Sequence, residues 1–202
     1  MGVDKALLEF CGRPLVEIAV EKLRGFCAAV SIVGERDDLA AFAQVVTGER
    51  TDCGPGAGIE AGLKAATEEW CLFVPVDVPL VPGELLQRWA KDGLRRSSGK
   101  YFGGSYLQAQ WIDHPSFCFL PRKGAAHVSE QLDRGQRRLT AILSEVRKEN
   151  AVSWIVSENA ENFMGLVRPT KLQMDFWFQN LNSPFEFDEA EAWARHLTDD
   201  GG

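Results

Sequence analysis

From residue 14 to residue 93 the chain alternates between two hydrophobic periods, and that alternation restricts the fold more than any single motif. Residues 14–24, PLVEIAVEKLR, place Leu15, Ile18, Ala19 and Leu23 at three- and four-residue spacing, with Pro14 at a first helical position, which predicts an amphipathic helix. Residues 28–34, AAVSIVG, are a short β-rich run closed by glycine. A short helix is expected over 37–43, a strand over 44–46, a helix over 59–69, a strand over 70–76 and a helix over 82–93. WCLFVPV at 70–76 is nearly all apolar, as a strand covered on both faces should be. Strands that alternate with helices are joined by crossovers, so the pattern predicts a mostly parallel sheet between two helix layers, a three-layer Rossmann-like α/β fold.

Beyond residue 93 the regularity lapses. Residues 94–113 are turn-rich and offer no clear element, 114–121 read as a strand, 125–148 as two helices around DRGQRR, and 151–156 as another short strand. An aromatic strand is expected at FWF (176–178), followed by Asn180, Asn182 and an acidic helix with Ser183 at the N-cap and Pro184 next to it. Strands without alternating helices suit an antiparallel edge or ribbon on the parallel sheet. No repeat or linker divides the chain, so 1–202 reads as a single domain.

Composition narrows the function classes. With 45% hydrophobic and 25% charged residues the chain can bury a core. The net charge of -7 argues against binding nucleic acid over the whole surface, which needs Lys and Arg to neutralise phosphates. Five scattered cysteines with no C-x-x-C pair suggest reduced thiols rather than a disulfide framework or zinc site. No basic leader precedes an apolar stretch and no window reaches membrane-span length, so a cytoplasmic protein away from membranes is expected.

Four stretches could carry chemistry. Asp77 closes the apolar run WCLFVPVD, at the strand end where open α/β sheets bind ligands; a carboxylate there suits Mg²⁺, or else begins a turn before Pro79. DCGPGAGIEAGL (52–63) is a glycine-rich loop feeding a helix, where Gly54, Gly56 and Gly58 would leave backbone N–H groups open to an anion, although such turns are also common as plain connectors. Lys5, beside Asp4, can meet phosphate oxygens as a point charge. Asn182 is either a turn residue or a hydrogen-bonding ligand for a heterocycle, and His114 reads as a strand-entry residue more readily than as a base.

Taken in order, MGVDKALLEFCGRPLVE, SIVGERDDLAAF, CGPGAGIEAGL, LFVPVDVPLVPGELL, HPSF and NLNSPFEF resemble the molybdenum cofactor guanylyltransferases. The resemblance implies a nucleotidyltransferase with a Rossmann-like α/β fold that moves GMP from Mg·GTP to molybdenum-bound molybdopterin and releases pyrophosphate. It implies that Lys5 is the nucleotide-phosphate lysine, that Asp77 is the aspartate of the strand-end D-x-P motif holding Mg²⁺, and that Asn180 and Asn182 fall on the N-x-N-T-P segment near the pterin, with Ser183 in place of threonine. Gly54 joins the nucleotide-side residues, and molybdoenzyme maturation proteins are possible partners.

The chain also departs from the family pattern. The family's opening strand and glycine-rich nucleotide loop are absent, so MGVDK reads as the second half of a motif cut before its lysine, which raises the question of whether a sheet edge is left open beside 28–34 and 70–76. Thr47 or Gly48 stands where the family usually has an aspartate, leaving Glu49 or Asp52 as the acidic candidates on the nucleotide side. SIVGER stands where the family often places a guanine-reading asparagine. The alternatives are a cytidylyltransferase or sugar-phosphate nucleotidyltransferase of the same fold, or a silent relative that binds molybdopterin.

Overall fold

The computed structural model describes residues 5–51, 53–98, 102–143, 154–164 and 169–199. It opens on a small antiparallel hairpin, β1 (Glu9–Phe10) with β2 (Arg13–Pro14). Cys11 and Gly12 form its turn with φ of 51° and 75°, the double left-handed conformation that lets a two-residue loop follow the strand twist. Helix α1 (Leu15–Arg24) follows with Pro14 at its N-cap. Its most buried side chains are Leu15, Val16 and Val20, so it is wedged between two clusters: Val16 and Val20 face Leu39 and Ala43, while Leu15 faces Phe10, Leu181 and Ala190.

Strands β3 (Ser31–Val33) and β4 (Gln44–Val46) pair in parallel around a 3-10 turn, Asp37–Ala41, in place of the α-helix expected over 37–43. Helix α2 spans Pro55–Ala65, four residues earlier than expected at its start. Gly54, at φ 67°, turns the chain, Pro55 fixes the first helical position, and Gly56 and Gly58 therefore lie inside the helix rather than in a loop. Strand β5 (Trp70–Phe73) and helix α3 (Gly83–Ser97) come next. The turn-rich stretch 94–113 resolves into the end of α3, the strand β6 (Phe102–Ala109) and the start of β7 (Ile112–Pro121). Helix α4 (Ala125–Asp133), a helical stretch α5 (139–143), strand β8 (Trp154–Asn159), helix α6 (Lys171–Trp177) and helix α7 (Pro184–Asp199) complete the chain. FWF ends α6 instead of forming a strand, because Thr170 and Gln173 build a capping box that starts a helix just before it. The first part of the expected 151–156 strand lies outside the described residues.

The main sheet has the order β5–β7–β6–β8. β7 runs antiparallel to both β5 and β6, and β8 runs parallel to β6, so the expected ribbon lies inside the sheet rather than at its edge. Alternating side chains of β5 and β7 serve opposite faces. Trp70, Leu72, Phe117 and Phe119 face α3, whereas Cys71, Phe73, Cys118 and Leu120 face α2, α4 and α5. This is the three-layer arrangement, with β7 as its most buried strand; β5 contacts both layers but stays only half-buried. The sheet face under α3 is closed tightly: a Cβ on Gly93 would lie 2.6 Å from the Phe119 ring, and the buried Trp89 indole donates to Ser105 Oγ at 3.0 Å.

Among the described residues no strand pairing joins the β3–β4 pair to the main sheet. The two nevertheless approach each other beneath α2. A Cβ on Gly62 would lie 2.7 Å from Phe73 of β5 and 3.3 Å from Val33 of β3, and Val76 and Ile32 pack on the same buried cluster. Among the described residues β3 and β5 thus present facing edges without a strand partner, bridged by a helix.

Candidate active site

The site is assembled by three segments far apart in sequence. Lys5 sits in a 3-10 turn (Lys5–Leu7) held by the buried Ala6 and by the Leu8 amide donating to the Lys5 carbonyl at 3.1 Å. Asp77 follows β5 in a turn whose Val78 and Val81 are buried in the core beside Leu85, Leu86 and Trp89. Asn180 and Asn182 occupy the connection between α6 and α7. The Leu181 amide donates to the Asp77 carbonyl oxygen at 2.9 Å, so the strand-end segment and the asparagine segment are tied through backbone.

Side chains then converge. Lys5 Nζ lies 3.2 Å from Asp77 Oδ2 and also donates to Asn182 Oδ1. Asn182 Nδ2 in turn donates to the Asn180 carbonyl at 3.2 Å. The Lys5 and Asp77 side chains keep 35% and 20% of their surface open, so the pair is reachable by a ligand while still being fixed by its surroundings. The ion pair uses one carboxylate oxygen, Oδ2.

Two groups that sequence patterning did not single out hold this cluster in place. Glu186 Oε2 accepts from the Asn182 and Ser183 amides, both at 2.7 Å, and from the Ser183 hydroxyl at 3.0 Å, while the Glu186 amide donates back to Ser183 Oγ at 3.3 Å. This is a capping box, and the S-P-F-E spacing was its signal. The bond from the Asn182 amide, with further help from Ser183 and the nearby Lys5 charge, holds the Glu186 carboxyl below its ordinary range. The second group is Lys22 of α1, whose Nζ donates to the carbonyls of Pro79 at 2.5 Å and Val81 at 2.8 Å. Burial lowers its pKa to about 8. Nothing in the heptad-like spacing of α1 sets Lys22 apart from an ordinary surface lysine.

Other expected site residues stand apart. Glu49 is exposed and makes no hydrogen bond or ion pair with the Lys5 cluster, and Asp52 lies outside the described residues. Gly54 is the N-cap of α2, and the atom nearest a Cβ there would be the Arg137 carbonyl oxygen at 3.8 Å. Gly56 serves packing instead of an anion cradle: its Cβ would meet Ile142 at 2.8 Å and Leu132 at 3.2 Å. The neighbouring Arg50 anchors the same connection by bonding Glu60 Oε2 at 2.7 Å and Asp133 Oδ1 at 2.7 Å. His114 has no base-like setting; its ring packs 4.8 Å from Phe178 and 6.5 Å from Phe117, and burial lowers its pKa.

A Mg²⁺ ion would find the carboxylate of Asp77 here, that of Glu186 being engaged by the Asn182 and Ser183 donors, and among the described residues no group of three or more His, Cys, Asp or Glu side chains could hold a metal. A single accessible carboxylate fits Mg²⁺, which keeps water and takes substrate phosphates in the rest of its shell. It does not fit a metal that needs an all-protein cage. No helix among the described residues is long and apolar enough to cross a membrane, and all five cysteines are free thiols.

This architecture is that of an α/β nucleotidyltransferase. Its neighbours among solved structures include molybdopterin-guanine dinucleotide biosynthesis protein A from Archaeoglobus fulgidus, with a TM-score of 0.73 at 21% identity, covering 96% of this chain and 92% of that one. They also include a 2-C-methyl-D-erythritol 4-phosphate cytidylyltransferase from Thermus thermophilus, with a TM-score of 0.62 at 16% identity over 95% of this chain and 94% of the other. The model of the MobA-like NTP transferase domain matches residues 1–151, and the chain belongs to that family. Molybdenum cofactor guanylyltransferases from Serratia proteamaculans and Vibrio atlanticus are 34% and 30% identical to it, over 70% and 85% of this chain and 71% and 86% of theirs. The chain is therefore a nucleotidyltransferase of molybdenum cofactor biosynthesis.

Proposed function

We propose that the chain transfers GMP from Mg·GTP to the terminal phosphate of molybdenum-bound molybdopterin, forming the guanine dinucleotide cofactor and pyrophosphate. The observation that carries this reading is the convergence of Lys5, Asp77 and Asn182 on one point, from segments 72 and 177 residues apart. An acceptor phosphate oxygen attacks the α-phosphorus as the bond from that phosphorus to the bridging oxygen of pyrophosphate breaks. Phosphate is already anionic, so no side chain has to remove a proton, and alignment with charge stabilisation does most of the work.

Lys5 leaves its pairing with Asp77 Oδ2 to meet phosphate oxygens, where its ammonium offsets the charge developing on the leaving pyrophosphate. Asp77 would hold Mg²⁺, which when bound would supply positive charge to offset that of the phosphates. Asn182 and Asn180 orient the pterin side of the acceptor. Gly54, with Glu49 or Asp52, belongs to the nucleotide side. The setting is the cytoplasm, with handover to molybdoenzyme maturation proteins and no part for nucleic acid or membrane.

The test is product analysis with molybdenum-molybdopterin, Mg²⁺ and either GTP or CTP. Pyrophosphate release and a guanine dinucleotide with GTP alone are expected. Turnover of CTP in place of GTP makes the chain a cytidylyltransferase, and pterin binding without use of either nucleotide makes it a silent relative.

A further inference from the structure

We propose that Lys22 is a positioning residue of the active site, which fixes the backbone from Pro79 to Val81 and through it the location of the Asp77 carboxylate. The proposal rests on the nucleotidyl-transfer reading for its catalytic consequence, though not for its geometry.

The segment VPVDVPLVP carries proline at 75, 79 and 82 and so lacks three of the N–H groups with which a turn ordinarily binds itself together. Its carbonyls need donors from elsewhere, since a buried carbonyl without a partner is costly. Lys22 supplies two from a different element: one ammonium spans the Pro79 and Val81 carbonyls, at 2.5 and 2.8 Å. The same turn is fixed at its start by the Leu181 amide on the Asp77 carbonyl, and at its end by the Leu86 amide on the Pro82 carbonyl at 3.3 Å. Val78 and Val81 point into the core, at 3% and 1% exposure.

Asp77 is therefore a partly open residue at the head of a pinned turn, and the two central pins both end on one side chain. The contact is closely fitted. A Cβ on Gly83 would lie 2.9 Å from Lys22 Cγ, so the first residue of α3 is kept bare where the lysine stem passes. A lysine placed only for solubility would not enter such a setting, because burial weakens its own protonation. A positioning role for the Asp77 turn accounts for both the burial and the paired acceptors.

The experiment compares wild type with Lys22→Met, which keeps the stem and removes the donors, and Lys22→Arg, which keeps a donor. Amide hydrogen exchange is read first, on the full chain without ligand. In Lys22→Met the Leu181 and Leu86 amides should exchange about tenfold faster, the weight of one charge-assisted hydrogen bond, while amides of α2, α4 and β7 keep their protection. Under GTP turnover the kcat should fall on the order of 10- to 100-fold, as for other groups that orient a ligand-bearing residue, with KM for Mg·GTP changing less. Lys22→Arg should recover part of both effects.

Unchanged exchange at Leu181 and Leu86, or an equal rise at every amide, overturns the proposal. If Lys22→Met does not fold, Lys22→Gln is judged by the same two criteria. A wild-type chain that uses no GTP would remove the nucleotidyl-transfer reading, and the exchange pattern alone would then decide whether Lys22 positions the Asp77 turn.

Discussion

The ammonium of Lys5 lies 3.2 Å from Asp77 Oδ2, pairing a cation from the start of the chain with a carboxylate in the turn that follows β5. Both groups are polar, partly open and tied to rigid elements, and each offsets the other's charge. Replacing Asp77 should therefore harm catalysis far more than folding. An ion pair this exposed is worth roughly 0–1 kcal/mol, whereas removing charge stabilisation from a reacting phosphate costs on the order of 10²-fold or more in rate. Asp77→Asn should melt within a few degrees of wild type and lose most Mg²⁺-dependent turnover. Near-normal rates across a Mg²⁺ titration would take Asp77 out of the site.

Glu186 gives a separable effect. It holds the amides of Asn182 and Ser183, and its hydrogen bonds go to the asparagine segment. Glu186→Gln keeps the shape but weakens a carboxylate acceptor serving three donors. The expected result is a rise in KM for molybdopterin by on the order of tenfold, with KM for GTP little changed. A variant in which only the GTP constant moves would place the asparagine segment on the wrong substrate.

How far the sequence revealed this site depends on what kind of contact was involved. Lys5, Asp77, Asn180 and Asn182 were legible because each lies in a local pattern, a strand end or a turn before a helix, and the structure brings three of them together. Lys22 was not legible, since its partners are carbonyls and any residue at 79 or 81 would present one. The fold divided in the same way. Alternation gave the helices and strands of the first half, but β6 hid behind glycines and a β-bulge, and FWF looked like a strand until the capping box at Thr170 put it in a helix. The glycines of GPGAG were the most misleading: they satisfy a loop pattern, yet Gly56 is a packing glycine inside α2.

Glu60 should govern acid stability. It is almost fully buried; burial opposes its ionisation, but hydrogen bonds from Lys64, Ser129 and Arg50 outweigh that and bring its pKa down to about 2. A carboxylate whose folded pKa lies below its unfolded value of 4.5 contributes stability that is complete above pH 4.5 and is lost as the pH falls towards 2. The contribution amounts to about 3 kcal/mol, from roughly 1.4 kcal/mol per pK unit. Unfolding free energy measured from pH 6 to pH 2 should fall through that window in the wild type and much less in Glu60→Gln, which should already be weaker at pH 6. Parallel curves would mean that other carboxylates carry the acid transition.

The two glycines of α2 that face β3 should respond with opposite signs to the same substitution. Both are interior to the helix, where alanine is favoured over glycine by about 1 kcal/mol. At Gly58 a Cβ would meet Val33 Cγ1 at 3.6 Å, an ordinary contact, so Gly58→Ala should stabilise by about 0.5–1 kcal/mol. At Gly62 it would press into the Phe73 ring at 2.7 Å while lying 3.3 Å from Val33, so the bridge over the facing strand edges must open. Overpacking costs about 1–3 kcal/mol, which exceeds the helix gain, and Gly62→Ala should destabilise. Denaturant midpoints for the two variants on either side of wild type are the expected outcome. Stabilisation by both would show that Phe73 has room to move and that α2 does not clamp β3 against β5.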